Sequence, residues 1–79
     1  MLDVKKLFNL ALQNQKKKNF HKAKQLYQEI LDLNPNFLEA NNNLGLLFQV
    51  DKEYDKAREC YEKIIKINPR ILSAQFNLG

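Results

Sequence analysis

Few side chains in this sequence are equipped for covalent or acid–base chemistry. His21 is the only histidine, Cys60 the only cysteine and Ser73 the only serine. A catalytic thiol needs its base within hydrogen-bond reach, and these two residues fall on different predicted helices at positions expected near the surface. A zinc site needs three or four nitrogen, sulfur or oxygen ligands at workable spacing, which this set does not supply. The carboxylates Asp51, Glu53 and Asp55 crowd one short stretch beside Lys52 and Lys56, the composition of a solvated turn. Two glycines are too few for a phosphate-cradling loop. No catalytic residue, metal or cofactor is therefore expected, and the chain does not read as an enzyme.

Amide chemistry is better represented. Asn9, Leu12 and Gln15 are reproduced as Asn43, Leu46 and Gln49, and Asn77 starts a third set. Steps of three and six residues keep such a triplet on one neighbourhood of a helix surface. An Asn amide offers two donors and an acceptor, so it can pair with both the C=O and the N–H of an extended backbone. Stacked helices lie about 8–10 Å apart and an extended chain advances about 3.3 Å per residue. Successive Asn residues could thus meet every third residue of a bound peptide, with Leu12, Leu46, Phe8 and Phe76 supplying apolar contacts between them. The plainer reading is that duplicated copies simply resemble each other.

The duplication itself is unambiguous. Residues 4–37 and 38–71 share 11 identities at a constant shift of 34: Asn9, Leu10, Leu12, Gln15, Lys18, Lys22, Ala23, Tyr27, Ile30, Asn34 and Pro35. Asn77-Leu78-Gly79 then repeats Asn43-Leu44-Gly45. A fixed period between 20 and 50 residues marks a stacked-repeat architecture.

Each period must hold two helices. The first spans about 3–17, with Asp3 as N-cap, an apolar stripe at Leu7, Leu10 and Ala11, and cations in the last turn, where the helix dipole favours them. Asn19 interrupts it and is placed to cap the second, about 20–33, whose inner face is Phe20, Ala23, Tyr27, Ile30 and Leu31. Asn34-Pro35 stops that helix. Asn36 with Glu39 reads as a capping box for a third helix over about 37–50. Asp51-Lys52-Glu53 is a turn. A fourth helix over 54–67 carries Tyr54, Ala57, Tyr61, Ile64 and Ile65, and Asn68-Pro69 ends it.

Length and charge narrow the role. The 79 residues form one small domain whose core is marginal. No apolar run is long enough to cross a membrane and no signal-peptide segment opens the chain. One cysteine cannot close an internal disulfide, which fits an intracellular, cytoplasmic setting. The net charge of +4 is uneven: residues 4–37 carry seven Lys against Glu29 and Asp32, and residues 38–71 balance to zero. The excess gathers at Lys16, Lys17, Lys18, Lys22 and Lys24. Basic clusters can bind phosphate backbones, but such runs are commonly solvated turns, and Phe20 within this one matches Tyr54 as a packing residue. An acidic protein partner fits this patch better than nucleic acid.

The set Leu44-Gly45-x-x-Phe48, Ala57-x-x-x-Tyr61 and Pro69 resembles the tetratricopeptide repeat over residues 4–79. The departures are Leu7, Asn41 and Gln75 at the Trp position, Ala11 for Gly in the first copy, Asn14 where Tyr is usual, and Ile30 and Ile64 in place of smaller residues. The resemblance implies an all-α, right-handed solenoid of antiparallel helix–turn–helix repeats. Its repeats would be 4–37, 38–71 and a partial 72–79. It also implies a protein-interaction scaffold whose first helices line a concave groove, with Asn9, Asn43 and Asn77 upon it. A carboxylate clamp of the co-chaperone kind is not implied. Only Asn43 matches its pattern, while Phe8, Leu12, Ser73 and Asn77 fill the other positions. Because residues 72–79 stop within a helix, the chain reads as a fragment. The alternative is a self-assembly element that stacks or exchanges helices through its open C-terminal repeat face.

Overall fold

A computed structural model describes residues 3–67 as four α-helices: α1 (Val4–Lys16), α2 (Phe20–Leu33), α3 (Leu38–Val50) and α4 (Tyr54–Ile67). Each packs on the next in chain order, α1 on α2, α2 on α3 and α3 on α4. Residues 72–79, the expected third repeat with Asn77, lie outside the described set.

The helix boundaries follow from local chemistry, with three corrections. Asp3 caps α1 as expected, its carboxylate accepting the Lys5 N–H at 2.9 Å. Asn19 precedes α2 but makes no side-chain cap. The expected capping box at Asn36 is absent as well: Asn36 N–H bonds the Asn34 side chain at 3.3 Å, and Phe37 is the N-cap residue of α3. The Phe37 ring lies 5.3 Å from that of Phe8. Packing thus sets the start of α3 one residue later, and Glu39 still occupies its first turn, where a carboxylate suits the dipole.

Both α1 and α3 end in a Schellman turn. Asn19 N–H reaches Asn14 C=O at 2.8 Å and Lys18 N–H reaches Gln15 C=O at 3.0 Å. Glu53 and Lys52 repeat the arrangement to Phe48 and Gln49 at 2.8 and 3.0 Å. The turn requires a left-handed residue, usually Gly. Here Lys18 has φ 65° and Lys52 φ 62°.

The core runs along all four helices and includes Leu7, Ala11, Leu26, Tyr27, Ile30, Leu47, Tyr61 and Ile64. Close approach explains Gly45: an added Cβ would meet the Tyr61 ring at 2.9 Å. Ala11 occupies the matching site in the first repeat and is fully buried. Three residues differ from expectation. Leu10 is 43% exposed and Tyr54 61% exposed, the latter keeping its hydroxyl in water. Cys60, expected near the surface, is buried, and burial pushes its thiol up to about 11. Its counterpart 34 residues earlier is Leu26, a core residue, so the slot is apolar.

Asn41 is the one buried polar side chain among the described residues. Its amide donates to Pro35 C=O at 3.3 Å, while its Oδ1 has no partner there. Leu7 fills the same position in the first repeat without this cost.

Candidate functional site

The repeated amides sit on α1 and α3, and a tyrosine joins them. Tyr27 of α2 donates its hydroxyl to Gln15 Oε1 at 2.7 Å and accepts from Asn43 Nδ2 at 3.2 Å. One hydroxyl thereby links α1, α2 and α3 across the boundary between repeats. Its ring also lies 5.9 Å from Phe8. The second repeat repeats half of the joint, with Tyr61 donating to Gln49 Oε1 at 3.1 Å. Burial raises the pKa of the Tyr27 phenol, partly offset by the Asn43 hydrogen bond; burial and then Cys60 raise that of Tyr61. Both phenols therefore stay protonated at neutral pH and keep donating.

This geometry changes the meaning of the amide stripe. Gln15, Gln49 and Asn43 have a structural role, because each spends a donor or acceptor on a tyrosine. They are still half-buried rather than enclosed, as are Leu12 and Leu46. Asn9 is exposed, with no side-chain hydrogen bond among the described residues. Helical spacing alone assigns Tyr27 and Tyr61 to the core. The signal for the joint was present in the spacing: each tyrosine follows a Gln by 12 residues, and Tyr27 precedes an Asn by 16.

The basic patch is smaller than expected. Lys16, Lys17, Lys18 and Lys22 are exposed and form no ion pair among the described residues. Lys24 does not belong with them. It is half-buried and bonds Asp51, with Glu53 at 4.0 Å, and its ammonium lies 5.5 Å above the Phe48 ring. Lys56 stands 5.7 Å from the same ring and 3.8 Å from Glu53. The acidic turn expected to be merely solvated is thus half of a second inter-repeat joint.

Nothing among the described residues assembles a reaction centre. His21 is exposed on α2, with its ring Nε2 3.4 Å from the Gln25 amide nitrogen. Cys60 lines a cavity of about 300 Å³ between α2 and α4, and the described residues hold no cluster of three or more metal-ligating groups.

Two tetratricopeptide repeat family models match, one over residues 4–37 and one over 38–71, in register with the 34-residue period. The chain belongs to the tetratricopeptide repeat family. Among solved structures, the crystal structure of MamA superposes with a TM-score of 0.91 at 29% identity, covering 96% of this chain and 44% of that one. The chain thus spans less than half the length of that protein. No curated protein matches it. Tetratricopeptide repeats are protein–protein interaction modules, and this chain carries two of them, stacked as an all-α repeat fold. Among the described residues no helix is long and apolar enough to cross a membrane.

Proposed function

We propose that this tetratricopeptide module binds an extended segment of a partner protein along the face shared by α1 and α3, and that it performs no catalysis. The observation carrying this reading is the tyrosine joint, which fixes α1 beside α3 through Gln15 and Asn43. Half-buried Leu12 and Leu46 are left as apolar contacts, and Asn9 as a free amide. Asn43 keeps its carbonyl and one N–H for a ligand, since the Tyr27 bond uses a single donor. Asn77, outside the described residues, would extend the row by one more period.

Self-assembly by end-to-end stacking is the weaker reading. Shifted by 34 residues, the Lys24–Asp51 pair becomes Arg58 facing Lys17 of a second copy, two cations where the internal joint has an ion pair.

The test is selection of 12-residue peptides from a random library on the immobilised full chain. Asn9→Ala combined with Leu46→Ala is expected to weaken a selected peptide about tenfold with helicity by circular dichroism unchanged. Selected peptides indifferent to both substitutions would remove the α1–α3 face from consideration.

A further inference from the structure

The face that α3 turns toward α2 has a counterpart on α1 with inverted chemistry. It comprises Ala40, Asn43, Leu44 and Leu47 of α3 and Asp51 at its C-cap, at helical spacings of three, four, seven and eleven from the first. Asn43 and Asp51 make its polar contacts, to Tyr27 and Lys24 of α2. Ala40, Leu44 and Leu47 are buried. Thirty-four residues earlier the same face reads Lys6, Asn9, Leu10, Gln13 and Lys17, all exposed. Asn9 and Leu10 keep the types of Asn43 and Leu44. Ala40 and Leu47 become polar, and Asp51 becomes Lys17.

We propose that this face of α1 docks an acidic helix of a partner protein, one presenting a carboxylate three residues before a tyrosine. The α2–α3 joint supplies the template. There Tyr27 meets the Asn, and Lys24, three residues earlier on the same helix, meets the Asp. On α1 the Asn remains, so a tyrosine hydroxyl is still the fitting acceptor, and the reversed charge at Lys17 calls for Glu or Asp in the Lys24 position. Lys6 lies about 16 Å along the helix from Lys17 and extends the same positive potential, with Lys16, Lys18 and Lys22 adjoining its C-terminal end. Leu10, 43% exposed, offers the apolar contact between the charges. The rule also excludes a second copy of this chain, because α4 presents Arg58 in the carboxylate's place. Charge complementarity of this sort governs partner choice and encounter rate more than raw affinity.

The probe is a stapled peptide of residues 20–33 carrying Lys24→Glu, compared with the same peptide retaining Lys24, each titrated against the full chain at low and moderate salt. The Lys24→Glu peptide is expected to bind about tenfold more tightly than its parent, with the difference shrinking as salt rises. In the Lys17→Glu chain the preference should reverse. Equal binding of the two peptides, no saturable binding of either, or a preference that survives Lys17→Glu would overturn the proposal. So would displacement of the peptide by a single-stranded oligonucleotide of equal affinity, which would assign the face to polyanions in general.

Discussion

Replacing Tyr27 by Phe removes one oxygen atom and tests the joint between the two repeats. The ring stays, so core packing is preserved, but hydrogen bonds of 2.7 Å to Gln15 and 3.2 Å to Asn43 are lost. A neutral hydrogen bond contributes about 0.5–1.5 kcal/mol net. Gln15 and Asn43 are only half-buried and can turn to water, so each loss should fall toward the lower end, giving about 1–2 kcal/mol in total. For a domain stable by about 5 kcal/mol with an m-value near 1 kcal/mol/M in urea, the midpoint should fall by about 1–2 M, read by circular dichroism at 222 nm. The double-mutant cycle with Asn43→Ala should show a coupling of about 0.5–1 kcal/mol, because both substitutions break the same bond. A midpoint shift below the error of the measurement, or strict additivity with Asn43→Ala, would refute the view that this hydroxyl ties the repeats together.

Three further outcomes are expected. Lys18→Gly and Lys52→Gly should each stabilise the chain by about 1 kcal/mol, since each removes a side chain from a left-handed turn position; thermal unfolding of the single and double variants checks both direction and additivity. Asn41→Leu should raise stability by about 1 kcal/mol by removing the unpartnered buried oxygen, and the exposed Pro35 carbonyl it frees can bond water; the change is read from urea midpoints. Finally, the Cys60 thiol is raised from 9.0 to about 11 in the folded chain, so the folded state holds its proton after the unfolded chain has released it. Its contribution is fully present below pH 9 and is lost between pH 9 and 11. Cys60→Ala should flatten that part of the stability profile, with Tyr27 and Tyr61, both also raised, accounting for the remaining alkaline loss.

Much of the fold was legible because the repeat says everything twice. Tyr27 and Tyr61, Ala23 and Ala57, and Ile30 and Ile64 are buried as the period required. Helix α2 ends before Asn34-Pro35 and α4 starts after the Asp51-Lys52-Glu53 turn, while the Asn68-Pro69 stop lies outside the described residues. The departures came where one copy has a neighbour and the other has not. Leu10 matches buried Leu44 in type yet is exposed, since no helix among the described residues packs on that side of α1. Lys24 looked like part of a lysine run, but its helical position aims it across the repeat boundary at Asp51. A cap failed at Asn36 because aromatic packing of Phe37 on Phe8 decided the start of α3. At the candidate site, sequence spacing marks Asn43 and Gln15 only as outward-facing amides, whereas both also hold helices together through Tyr27.

The most direct test of the binding face is residue-by-residue mapping of a library-selected peptide on the isotope-labelled chain by nuclear magnetic resonance. Binding on the proposed face would shift the amide signals of Asn9, Leu12, Leu46 and Gln49 together and leave α4 quiet. Shifts gathered instead on α2 and α4, around Gln28, Cys60 and Lys63, would place the ligand on the opposite side and contradict the reading.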